Sequence, residues 1–213
     1  ISKLKTYGYK LIGPEIGDMA CGEYGEGKMS SPEEIYKFLE NYFYNKNIVK
    51  EKNLKALVTA GPTKEYIDPV RFITNNSSGK QGYEIANSLA KLGVSTTLIS
   101  GPSKLRKPEN VNVIKVETAD QMLEETKKML PVDIAVCAAA VTDFKPEVYE
   151  LNKIKSNTLN LNLKRNKDIL EFLSKNNSQR PRLVVGFAAE TKDILKHATN
   201  KKNKKYCDWI IAN

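Results

Sequence analysis

From residue 56 onward, short apolar runs alternate with stretches of helical spacing, and that alternation leaves few folds open. Ala56-Leu57-Val58-Thr59-Ala60 has the length and content of a buried strand. After a long loop, Gly82 to Leu92 places Ile85, Ala86, Leu89 and Leu92 on one helical face and stops at Gly93. Further apolar runs follow at Val94 to Ser100, Val111 to Val116, Ile134 to Ala140, Leu183 to Phe187 and Trp209 to Ala212. Between them, Thr118-x-x-Gln121 resembles a capping box ahead of Met122, Leu123, Thr126 and Leu130, and helical stretches are expected at Asp168 to Leu173 and Thr191 to Ala198. Strands separated by helices cannot form hairpins, so the expected fold is α/β and Rossmann-like, a mainly parallel sheet with helices on both faces. Leu159-Asn160-Leu161-Asn162-Leu163 is the exception: its strict alternation predicts a half-exposed strand, antiparallel or at a sheet edge.

A short loop-plus-helix fragment precedes this domain. Gly13, Gly17, Gly22, Gly25 and Gly27 argue against regular structure from Gly13 to Met29, which reads as a loop or flap. Ser30-Ser31-Pro32-Glu33-Glu34 then supplies a cap, a first-turn proline and first-turn acids for a helix carrying Ile35, Phe38, Leu39 and Tyr42. The polar run from Asn45 to Asn53 reads as a linker, so the division is into residues 1–47 and 48–213.

Composition narrows the function classes. With 34 Lys and Arg against 25 Asp and Glu, the formal charge of +9 favours phosphate-bearing ligands without requiring nucleic acid, and no basic-aromatic module is recognisable. Cys21, Cys137 and Cys207 are scattered and His197 is the only histidine, so no zinc-spaced cluster exists and no protein metal site is expected. No run approaches the roughly 20 apolar residues of a membrane span, and scattered thiols suit a reducing cytoplasm.

In parallel α/β sheets ligands lie beyond the carboxyl ends of the strands. The first such loop contains Ser77-Ser78-Gly79 just before a helix, a candidate phosphate or anion loop because free amides and the positive dipole end meet there. Read alone, Ser78 serves equally well as a plain N-cap. Neither the Walker A spacing nor GxGxxG is present.

The run GPTKEYIDPVRFITNNSSGKQG, followed in order by CAAAVTDF, KIK and VGFAAET, resembles the synthetase domain of phosphopantothenate–cysteine ligases, in the bacterial form fused to phosphopantothenoylcysteine decarboxylase. The similarity runs from about Leu54 to the end. Upstream, GPEIGDMACGEYGEGKMSSP resembles the clamp loop and last helix of the fused flavin decarboxylase, so residues 1–47 are expected to be its C-terminal tail. The FMN-binding front of that domain, with its catalytic histidine and Pro-x-Met-Asn segment, has no match here. Cys21 aligns with the decarboxylase proton donor and is expected to be idle, and the ligase domain is expected to be truncated after Ile211-Ala212-Asn213.

The resemblance implies a two-step reaction. The carboxylate of 4'-phosphopantothenate attacks the α-phosphate of CTP to give an acyl-cytidylate and pyrophosphate, and the amine of cysteine then displaces CMP. Catalytic roles carry over to Asn75, for the substrate carboxyl and acyl intermediate, and to Lys153, for the triphosphate. An asparagine donates a hydrogen bond without quenching the nucleophile by a full charge. Nucleotide contacts carry over to Cys137, Ala138, Ala139, Asp143, Lys153, Arg165, Asn166, Lys167, Asp168, Phe187, Lys201 and Lys205. The family usually has proline where this chain has Lys167. Mg²⁺ would be held mainly by phosphates, and a homodimer is implied. Read without the motif order, Lys153 is a solvated lysine, Phe187 a core phenylalanine and the Lys201 to Lys205 run a solvated face.

One rival class is a short-chain-dehydrogenase-like NAD(P) reductase. Ser78-Gly79-x-x-Gly82 before a helix and Tyr149-x-x-x-Lys153, the spacing of Tyr/Lys proton-transfer pairs, suggest it. Against it, about twenty residues separate the first strand from the glycines, and no acid ends the second strand to hold an NAD ribose.

Overall fold

The computed structural model describes residues 2–18, 24–47, 53–175, 178–189 and 192–212. The chain forms two compact units, Ile1–Val49 and Lys50–Asn213.

The first unit contains helix α1 (Ser2–Thr6), strands β1 (Glu15–Asp18) and β2 (Tyr24–Lys28), and helix α2 (Pro32–Asn47). The glycine-rich run is therefore not irregular throughout, because β1 and β2 pair antiparallel as a hairpin. A two-stranded ribbon needs only its backbone ladder, so glycine weakens it without forbidding it. Helix α2 starts where its cap residues place it: the Glu34 amide donates to Ser31 Oγ at 3.2 Å, and the Ser31 amide returns a bond to Glu34 Oε2 at 3.3 Å. Cys21 lies outside the described residues.

In the second unit the strands are β3 (Lys55–Ala60), β4 (Lys64–Tyr66), β5 (Phe72–Thr74), β6 (Ser95–Ser100), β7 (Val111–Lys115), β8 (Ile134–Cys137), β9 (Phe144–Pro146), β10 (Leu163–Arg165), β11 (Leu183–Ala188) and β12 (Trp209–Ala212). The helices are α3 (Lys80–Lys91), α4 (Ala119–Met129), α5 (Ile169–Lys175) and α6 (Ile194–Lys205). Six strands form one sheet in the order β12-β11-β8-β3-β6-β7, and every pairing in it is parallel. The chain builds outward from β3 through β6 to β7, then returns through α4 to place β8 on the other side of β3. That reversal makes a topological switch point between β3 and β8, where neighbouring connections leave on opposite faces and open a crevice.

Strand alternation creates both cores. Leu57, Ile99, Ala135 and Val184 meet Met122 and Leu123 of α4 and Ile169, Leu170 and Leu173 of α5. Their sequence neighbours Val58, Leu98, Val136 and Val185 meet Tyr83 and Ala86 of α3 on the opposite face. The capping box of α4 is formed as expected, with the Gln121 amide donating to Thr118 Oγ1 at 3.2 Å and the Thr118 amide to Gln121 Oε1 at 3.2 Å.

In the second unit three expectations need correction. The run at residues 159–163 joins a ladder only at its last residue. Strand β10 pairs antiparallel with β9 in a separate ribbon, and Leu159 and Leu161 stay 41% and 38% exposed. Alternation makes a strand only when one face has something to pack against. Strand β8 ends at Cys137 rather than Ala140, although Ala140 still bridges Pro62. Helix α6 begins at Ile194 and runs to Lys205, because its lysine-rich second half has no apolar period to read.

Candidate functional site

The carboxyl ends of β3, β8 and β11 and the helices behind them enclose a cavity of about 330 Å³. Thr59 of β3 and Cys137 of β8 line its floor, with Ala139, Val141, Thr142 and Asp143 on the connection beyond. Phe187 enters from β11, Lys201 and Lys205 from α6, and Arg165 to Asp168 from the turn into α5. Ten of the residues anticipated for a nucleotide thus share one cavity. Ala138 does not line it: its amide donates to the Thr59 carbonyl at 3.2 Å while the side chain packs into the core on the α3 face.

Hydrogen bonds hold this wall in place. Thr63 and Thr142 are buried with their hydroxyls 3.2 Å apart, and the Thr142 amide donates to Thr63 Oγ1 at 3.1 Å. Asn166 Nδ2 donates to the Thr142 carbonyl at 2.8 Å and to Thr142 Oγ1 at 3.1 Å, and the Asn166 amide donates to the Asp143 carbonyl at 2.9 Å. The other end of that amide is unsatisfied. Among the described residues Asn166 Oδ1 is buried with no partner, an acceptor whose desolvation a ligand donor would offset. Arg165 stacks over Phe144, its guanidinium carbon 5.1 Å from the ring centre.

Two cations of the cavity, Lys201 and Lys205, are held rather than loose. Lys201 Nζ donates to the Phe187 carbonyl at 2.8 Å. Lys205 Nζ lies 2.9 Å from Asp168 Oδ2 and 2.7 Å from Glu171 Oε2. Desolvation works against its charge, but the two carboxylates outweigh it and raise its pKa above the usual lysine value. Asp168 also caps α5, accepting from the Glu171 amide at 2.8 Å. Burial of the Cys137 thiol, with Asp168 and Cys207 nearby, pushes its pKa to about 12, so it offers the site backbone groups and bulk rather than a thiolate.

Thr59, Thr142 and Glu171 line the cavity without having been singled out. Thr59 had a signal, its place at the carboxyl end of the first strand. Glu171 had one too, since Lys175 follows at the four-residue spacing of a helical ion pair, and the two side chains meet at 2.7 Å. Lys175 and then Lys205 hold Glu171 at about 2, from an ordinary 4.5. A depressed carboxyl pKa adds stability that is complete above the ordinary value and disappears as pH falls toward the folded one. Glu171→Gln is therefore expected to destabilise the chain at pH 7 by about 1 kcal/mol or less, since the pair is partly exposed. The gap between parent and variant should close between pH 4.5 and about 2. Urea unfolding at several pH values reads it, and a gap that does not change with pH contradicts the assignment.

The remaining candidates lie outside this cavity. Asn75 follows β5, and its Nδ2 donates to the carbonyls of Ala140 and Val141 at 3.2 and 3.1 Å, which ties it to the rim. Both amide hydrogens are spent on the protein here, whereas the role expected of Asn75 has them facing a substrate. Lys153 is exposed on the excursion between β9 and β10. Ser77 and Ser78 line a second cavity, of about 660 Å³, with Ser103, Lys104, Lys115 and Glu117. Gly79 rather than Ser78 caps α3, at φ +78°, and no side chain bonds the cap. The Ser77 and Ser78 hydroxyls accept from the amides of Gly79 and Lys80 at 3.2 and 3.3 Å, so those two donors are already used.

Among the described residues no group of three His, Cys, Asp or Glu side chains could hold a metal ion, and no helix is long and apolar enough to cross a membrane.

The fold agrees with a family comparison. The family described as DNA/pantothenate metabolism flavoprotein C-terminal domain matches residues 51–213. This chain belongs to that family. Among similar proteins are the coenzyme A biosynthesis bifunctional proteins CoaBC of Borreliella burgdorferi and Haemophilus influenzae, each 41% identical over all of this chain and over 55% and 53% of the relative. The chain thus spans about half the length of the curated relatives it matches. A crystal structure of the C-terminal domain of a CoaBC protein superposes with a TM-score of 0.67 at 40% identity, covering 76% of this chain and 78% of that one.

Proposed function

We propose that residues 48–213 carry the ligase step of a CoaBC-type protein, joining 4'-phosphopantothenate to cysteine at the expense of CTP. Residues 1–47 are then the tail of the fused decarboxylase domain, with FMN belonging to the remainder of that domain. The observation that carries the reading is the cavity at the switch point, where Lys201, Lys205 and Arg165 surround a floor of small side chains beside Phe187. Similarity to coenzyme A biosynthesis proteins CoaBC supports the reaction class.

The cations offset the charge of a triphosphate while the substrate carboxylate attacks the α-phosphorus, an acyl C–O–P linkage forms and the bond to pyrophosphate breaks. Lys153 approaches the same phosphates from its excursion. Asn75 exchanges its two carbonyl partners for the substrate carboxylate, a neutral donor that leaves the nucleophile its charge. The cysteine amine then attacks the acyl carbon, CMP leaves and the amide loses its proton. Asn166 Oδ1 accepts an N–H or O–H of the nucleotide, which ends its burial without a partner. Asp168 and Glu171 are occupied by Lys205, so Mg²⁺ would be held mainly by the triphosphate and water, where it would supply further positive charge.

We infer that a second copy of the chain covers the exposed apolar side chains around Lys153. Val148, Leu151, Leu159 and Leu163 are 68%, 80%, 41% and 44% exposed there, and we assign that face to a homodimer in the cytoplasm.

The rival reductase loses ground on geometry. A four-residue Tyr–Lys spacing brings the two side chains together on a helix, and residues 149 to 153 are not helical. The test is pyrophosphate release with CTP and with ATP, dependent on phosphopantothenate and cysteine, with sedimentation of the same preparation. Phosphopantothenate-dependent release supports the ligase. Release with neither nucleotide, or NAD(P)H-linked turnover instead, overturns it, and a monomer at micromolar concentration overturns the dimer.

A further inference from the structure

Lys153 sits on an excursion, residues 147–162, that contains no helix or strand. A lysine on a free loop samples many positions, and fixing it costs backbone entropy at every residue ordered. Here the excursion is tied down beside that lysine. The Glu147 amide donates to the Asn162 carbonyl at 2.9 Å and closes its base. The Glu150 amide donates to the Ile67 carbonyl at 3.0 Å. At Ile154 both backbone groups are taken: its amide donates to Asp68 Oδ2 at 3.2 Å, and its carbonyl accepts from Arg71 Nη2 at 2.7 Å.

Asp68 organises this latch. Its residue is fully buried, and Oδ1 accepts from the amides of Val70 and Arg71 at 2.8 Å each. Oδ2 takes Arg71 Nε at 2.9 Å and the Ile154 amide. One carboxylate therefore shapes the turn between β4 and β5, orients the guanidinium and grips the residue next to Lys153. The same hairpin delivers Asn75 directly after β5. Burial opposes the Asp68 charge, but the Val70 amide, the Arg71 guanidinium and the other amides outweigh it and hold the carboxyl far below the usual range. The anchor is thus charged at every working pH.

We propose that Asp68 is a positioning residue for Lys153, acting through Arg71 and the backbone of Ile154 to fix Lys153 relative to Asn75. This rests on the ligase reading for what Lys153 does, though the latch itself is a matter of geometry. The side chain of Asp68 reaches no substrate; its effect is the placement of a cation, and misplacement of a catalytic group by about 1 Å can cost about 10²-fold in rate.

Asp68→Asn keeps the shape and removes the charge, while presenting donor hydrogens to groups that are themselves donors. In the full chain, kcat for pyrophosphate release should fall by roughly 10- to 100-fold with KM for CTP little changed, because the CTP cavity does not include Asp68. In a Lys153→Gln background the same substitution should cost almost nothing more, since a positioning role disappears with the group positioned. Trypsin cleavage after Lys153 and Lys155 should rise at least about tenfold, equivalent to about 1.4 kcal/mol of latch stability, with cleavage elsewhere unchanged. An equal cost in both backgrounds, or trypsin cleavage that does not change, overturns the proposal. If the parent chain releases no pyrophosphate, the ligase reading falls and the trypsin comparison alone decides the latch. If Asp68→Asn does not fold, Arg71→Lys takes its place. It keeps a cation beside Asp68 and loses the fork that reaches Ile154, so the same rate and cleavage changes are expected and their absence is decisive.

Discussion

Lys153→Gln is expected to reduce pyrophosphate release by at least about 10²- to 10³-fold, the range seen when a preorganised group facing developing charge is removed. Tyr149→Phe should leave the rate close to that of the parent. The two substitutions separate the ligase from the reductase, which would need the Tyr149 hydroxyl as proton donor and lose about 10²-fold or more without it. Asn75→Ala gives a third reading. It should impair formation or turnover of the acyl-nucleotide while CTP affinity, measured by calorimetry, stays within the parent range, because Asn75 ties to the rim of the cavity rather than lining it. If Tyr149→Phe is inactive while Lys153→Gln and Asn75→Ala turn over normally, both site assignments fall.

The parallel sheet was legible because its strands are apolar on both faces. Leu57 and Val58 face opposite cores, so the run from Ala56 to Ala60 had to be continuous rather than alternating, and the same holds at Leu98-Ile99, Ala135-Val136 and Val184-Val185. Elements held by other means were harder to read. The β4–β5 hairpin consists of three-residue strands whose turn is specified by Asp68 and Arg71, and no period in the sequence marks a buried carboxylate. The leucines at 159 and 161 mislead for the opposite reason, an apolar alternation with no layer beneath it.

The cavity was legible in outline through the ordered motifs, and its internal chemistry was not. Motif order brings Asp143, Asn166, Phe187 and Lys205 to one place, but cannot say that Lys205 arrives already paired with Asp168 and Glu171. That pairing depends on the meeting of α5 and α6, which are separated in sequence by β11. The anion loop shows the limit most clearly. Serines ahead of a helix predict free amide donors, yet Ser77 and Ser78 use their own hydroxyls on the amides of Gly79 and Lys80. A phosphate arriving there must compete with those bonds.

The site's geometry depends on backbone contact between two loops, and Gly101 is where that contact is tightest. It follows β6, and its amide donates to the Ala60 carbonyl at 2.9 Å, which brings the ends of β6 and β3 together. A Cβ built on Gly101 would lie 1.8 Å from the Pro62 carbonyl oxygen, well inside any permitted separation. The clash is with main chain on both sides, so no rotamer relieves it: either the Gly61–Pro62 turn or the end of β6 must move. Gly101→Ala is accordingly expected to destabilise the second unit by about 3 kcal/mol or more, the upper end for overpacking. For a domain of this size that lowers the melting temperature by roughly 6–12 °C. The displacement has a functional arm as well. Pro62 bridges Ala140, the Gly61 carbonyl accepts from the Ala140 amide at 2.9 Å, and the Ala140 carbonyl is one of the two that hold Asn75. Folded Gly101→Ala should therefore lose pyrophosphate release at 25 °C beyond what its unfolded fraction explains. A variant that melts with the parent would mean that the loop yields without cost and that Gly101 does not set the spacing of the two strand ends.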